Sequence, residues 1–77
     1  MTSMNRRQMN ETADQLDKQA ARYDEAARDA AQFACNATDQ LQRDQAAAMA
    51  RQHRENATDA RANAEALRSG ETPYGWQ

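Results

Sequence analysis

The sequence predicts an all-α fold, an antiparallel two-helix hairpin of the alanine-rich coiled-coil kind, and three observations predict it. Of the 77 residues eighteen are alanine and three leucine, with no valine or isoleucine, so the side chains that fill a pleated sheet are nearly absent. The one proline and both glycines fall at Gly70, Pro73 and Gly75. Everything from Met1 to Ser69 is therefore free of helix breakers and rich in strong helix formers. Finally, Met9, Ala13, Leu16, Ala20, Tyr23, Ala27, Ala30, Ala34, Ala37 and Leu41 recur at alternating steps of four and three, an unbroken heptad seam.

That seam assigns a first helix to Glu11 through Leu41, preceded by an N-terminal segment over 1–10. Beyond Leu41 the same count lands on Asp44, Arg51 and Glu55, and a new frame runs through Ala46, Ala50, His53, Ala57, Ala60, Ala64 and Leu67. A single helix from Glu11 to Arg68 would be about 87 Å long, and its stripe would swing by about 140° between Leu41 and Ala46. One partner surface cannot follow that jump, so the chain is expected to turn. Gln42, Arg43, Asp44 and Gln45 carry no apolar residue and match the usual length of a helix-to-helix connection. The expected turn is 42–45 with Asp44 as cap; the competing position is Asn36 to Asp39. The second helix then runs from Gln45 to Arg68. The hairpin occupies 11–68, and a flexible tail over 69–77 begins where Gly70 and Pro73 stop the helix.

Flanking charges supply the register. In an antiparallel pair the first helix sets Asp17 and Asp24 beside its seam, and the second sets Arg54, Arg61 and Arg68. Folding about residue 42 brings Asp24 to Arg61 and Asp17 to Arg68, opposite charges in both places. The same fold sets Leu16 near Leu67, Ala20 near Ala64, Tyr23 near Ala60 and Ala30 near His53. On the other flank it places Phe33 opposite Met49, sulfur against an aromatic edge.

Size argues for association. A core of this length seldom holds more than about 3 to 5 kcal/mol, and alanine buries few of the CH₂ groups that each contribute about 0.8 kcal/mol. The apolar band of the first helix, Ala26, Ala30, Ala31, Phe33 and Ala37 included, is wider than one partner helix needs. A homodimer, two hairpins forming a four-helix bundle, would cover it.

Residues that carry chemistry are sparse. No catalytic, cofactor-binding or metal-binding constellation stands out, and the chain is not expected to be an enzyme. His53, the single histidine, sits on the inner seam and reads as a packed polar residue. Cys35, the single cysteine, has no second thiol to pair with, which suits a reducing cytoplasm. Arg6 and Arg7 precede polar Asn10 and Glu11, giving neither a signal peptide nor a membrane span. A net charge of −2 disfavours nucleic acid as a partner, because such binders carry a strong positive field. Tyr74 and Trp76 in the tail are candidate contacts for another protein, whose identity the sequence does not give. The function these residues imply is a small cytoplasmic interaction protein, an adaptor, inhibitor or accessory regulator of the size found in phages and plasmids. The alternative is a nucleic-acid-binding regulator acting as a hairpin dimer.

Overall fold

A computed structural model describes residues 5–71. Helix α1 runs over Arg6–Asn36 and helix α2 over Gln40–Arg68, and the two pack against each other as an antiparallel hairpin. Among the described residues there is no strand.

Helix α1 starts five residues earlier than the seam suggested. Asn5 accepts a hydrogen bond from the Gln8 backbone N–H at 2.8 Å, and the Gln8 side chain accepts one from the Asn5 N–H at 3.0 Å. This reciprocal box satisfies two N–H groups that the first turn otherwise leaves open. At the same end of the hairpin α2 closes on Gly70, whose φ of 86° lies in the left-handed region that side chains rarely adopt. There the Gly70 N–H reaches the Leu67 carbonyl at 3.1 Å and the Glu71 N–H reaches that of Ala66 at 2.8 Å. These two bonds are a Schellman cap.

The turn is the main correction. It lies at Ala37–Asp39, the earlier of the two positions, and residues 42–45 belong to α2. Ala37 leaves the helix in an extended conformation, φ −71° and ψ 138°, while Asp39 caps α2 by accepting the Leu41 N–H at 2.9 Å. Gln42, Arg43, Asp44 and Gln45 are good or tolerable helix formers, so a cap placed ahead of them carries the helix through. Asp39 instead bonds through its carboxylate to the Leu41 backbone, an alternative to continuing the first helix. Asp39→Ala should destabilise the hairpin by about 1 kcal/mol, lowering the melting temperature by roughly 4–8 °C at this size. A circular-dichroism melt checks this, and an unchanged midpoint would mean that Asp39 does not set the turn.

With the turn at 37–39 the first seam ends sooner than its spacing implied. Met9, Ala13, Ala20 and Ala27 are buried on α1, but Leu41 falls in the first turn of α2 and is 63% exposed. On α2 the second frame holds throughout: Ala46, Ala50, Ala57, Ala60, Ala64 and Leu67 are buried and His53 is half-buried. Two clusters form the core, Met9, Ala13, Ala64 and Leu67 at the terminal end and Ala20, Ala57 and Ala60 in the middle. Leu16 packs against both and Tyr23 against the second. Ala20 thus joins Ala57 and Ala60 rather than Ala64. His53 stacks on Tyr23 with ring centroids 6.2 Å apart instead of meeting Ala30.

Candidate functional site

The hairpin is a ribbon two helices wide, and its two faces differ in chemistry. One face is charged. Arg61 donates to the Asp24 carboxylate, and Arg68 bridges Asp17 at 2.7 Å and Asp14 at 2.8 Å. Both expected pairs therefore form, and Asp14 joins the second. They form although the turn lies four residues before the residue about which they were folded. Helical side chains lean toward their own N-terminus, which in an antiparallel pair means in opposite directions. An arginine on α2 leans toward the turn and an aspartate on α1 leans away from it. Their contact therefore joins residues whose backbones are not level, and the pairing overstates the midpoint of the fold. Only the alanine clusters, whose side chains barely lean, report the backbone register.

The Arg61 guanidinium, hydrogen-bonded to Asp24, holds that carboxyl below its ordinary value of 3.8 and is itself held above its own. Arg68 is raised likewise, by its hydrogen bonds to Asp17 and Asp14. For an aspartate depressed in the folded state, the stabilisation is present above the unfolded value and lost as pH falls through the folded one. The hairpin should lose part of its stability on acidification from about pH 4 downward, and Asp24→Asn should lose less over the same interval. The effect is modest because exposed pairs are screened by solvent. Thermal melts of the two proteins at about pH 7, 4 and 2.5 check it. Equal losses would show that the pair does not contribute to register.

The other face is apolar near the turn. Phe33 of α1 and Met49 of α2 line one open groove together with Ala30, Ala46, Gln42 and Gln45. The expected neighbours are thereby brought to one place. Both remain open to solvent, Phe33 at 57% and Met49 at 56%, and Leu41 in the first turn of α2 is 63% exposed. Exposure of these large side chains was only half legible: the flank position of Phe33 and Met49 follows from the heptad frame, whereas Leu41 was placed in the core by a seam that runs past the true end of α1.

Elsewhere the residues singled out for chemistry stand apart. His53 is stacked on Tyr23 with its Nδ1 buried and without a hydrogen-bond partner. Cys35 is an exposed free thiol. Among the described residues no three side chains of the histidine, cysteine, aspartate or glutamate types gather as a metal would require. No described helix is long and apolar enough to cross a membrane. Tyr74 and Trp76 lie outside the described residues. In comparisons with protein families, curated proteins and solved structures, nothing matches this chain.

Proposed function

We propose that the chain is a small, non-enzymatic, helical protein–protein interaction module, an adaptor, inhibitor or accessory regulator that acts in the cytoplasm and associates with a second copy into a four-helix bundle. The observation that carries this reading is the pair of Phe33 and Met49, each more than half exposed and lining one open groove near the turn. Isolated exposed apolar residues are ordinary, but two large ones sharing a groove with Ala30 and Ala46 mark a contact surface. The thin alanine core supports the same reading, since a hairpin this small gains much of its stability from being covered. An exposed free Cys35 suits a reducing compartment.

Nucleic-acid binding draws less support. Arg61 and Arg68 already have carboxylate partners, which lowers the charge available for phosphates.

Sedimentation equilibrium between about 1 and 100 μM tests the proposal. The expected result is a mass twice that of the 8.7 kDa chain, falling to monomer on Phe33→Glu with Met49→Glu. A folded monomer at every concentration would contradict it.

A further inference from the structure

On the side away from the ion pairs, the rows that flank the seam are neutral along their whole length, although 29% of the chain is charged and Arg22, Asp29 and Asp59 stand one row further out. On α1 the positions seven apart are Thr12, Gln19, Ala26 and Phe33; on α2 they are Gln42, Met49, Asn56 and Asn63. A seven-residue step returns to nearly the same side of a helix, drifting by only about 20°. That the two rows share one face is visible at the turn end, where Phe33, Gln42 and Met49 line the same groove. The opposite face holds Asp17, Asp24, Arg61 and Arg68, already paired with one another.

We infer that the face carrying these neutral rows is where a second copy of this chain packs, about a two-fold axis parallel to the hairpin, with both turns at the same end. This rests on the self-association proposed above and adds the surface and the orientation. The face is large enough. Helices of 31 and 29 residues are about 45 Å long and lie 8–10 Å apart. The ribbon therefore offers roughly 800 Å² per copy, the amount a specific interface buries on each side.

Orientation follows from what each layer would meet. With both turns at one end, α1 of one copy lies against α2 of the other. Ala26 then faces Met49, Gln19 faces Asn56 and Thr12 faces Asn63, while Phe33 faces Gln42. In three of these four layers apolar meets apolar, or amides, which both donate and accept, meet amides or a hydroxyl, and only Gln42 meets an apolar side chain. With the turns at opposite ends, α1 lies on α1 and α2 on α2. Phe33 would then sit on Thr12 and Met49 on Asn56, leaving amides and a hydroxyl against apolar surface without partners. Helix directions do not discriminate, because neighbours are antiparallel in both arrangements. Layer chemistry does. A second copy also needs no charge of opposite sign on this face, which a charged heterologous partner would call for.

The test uses the full chain with Cys35→Ser, carrying a single spin label at Thr38→Cys, an exposed turn residue. The predicted label-to-label distance is below about 30 Å, because both turns share one end. Opposed turns put it at about 45 Å. In parallel, Gln19→Glu introduces a charge into the neutral row of α1 with almost no change of shape; it should weaken association by at least about tenfold, while Arg28→Gln on the charged face should leave it unchanged. A dimer with the long distance, or one indifferent to Gln19→Glu, overturns this inference and leaves self-association standing. A monomer at all concentrations overturns both.

Discussion

Leu67→Ala is expected to leave the hairpin largely unfolded at room temperature. Among the described residues Leu67 is the only large side chain with no exposed surface, and it anchors the terminal cluster with Met9, Ala13 and Ala64. Truncating a buried leucine costs about 2–5 kcal/mol from lost transfer energy and the cavity left behind. Cores of this size seldom hold more than about 3 to 5 kcal/mol, so a single substitution consumes most of the margin. Neighbouring alanines cannot rearrange to fill the space, since they have no rotamers to change. Leu41→Ala provides the internal comparison. It removes the same atoms from a side chain that is 63% exposed and should change stability by less than about 0.5 kcal/mol. Far-UV circular dichroism on both variants checks the pair. A Leu67→Ala protein melting like the parent would mean that this cluster is not the core.

A second large effect runs against hydrophobicity. Ala20→Leu adds apolar surface and barely changes helix propensity, yet it should destabilise the hairpin by about 1–3 kcal/mol. Ala20 has no exposed surface, and it packs with Ala57 and Ala60. Three methyl-sized side chains bring the two backbones close, and a leucine there must push the axes apart or leave its rotamer minimum. Separation at Ala20 loosens Tyr23 and Leu16, which pack against the same cluster. Ala21→Leu, one residue on and exposed, should be nearly neutral. Chemical denaturation of the two variants decides the matter. If Ala20→Leu is the more stable, close packing of alanine does not set the distance between the helices.

Both expectations rest on a fold that the seam already disclosed in outline. Two helices, their antiparallel sense, the second-frame core and the pairs Asp24–Arg61 and Asp17–Arg68 were legible because periodicity and charge sign are properties of the chain itself. The turn was not. Residues 36–45 contain no glycine or proline, so the break depended on a cap, and three candidates, Thr38, Asp39 and Asp44, competed for that role. Charge pairing then pointed to the later one, because long side chains lean and so misreport which backbones are level. The N-terminal start was available in Asn5 and Gln8, a box that a seam search beginning at Met9 passes over. At the candidate site the groove shared by Phe33 and Met49 was readable from the register. Exposure of Leu41 was not, since it depends on where α1 ends.

The most direct test of the hairpin is one distance within a single chain. Labels at Lys18→Cys and Ala62→Cys, both exposed, in a Cys35→Ser background and diluted with unlabelled protein, report the separation of α1 from α2 at mid-length. Helices packed 8–10 Å apart predict one narrow distribution between about 15 and 30 Å. A distribution near 66 Å, the span of an uninterrupted helix between those residues, would contradict the fold and every contact derived from it.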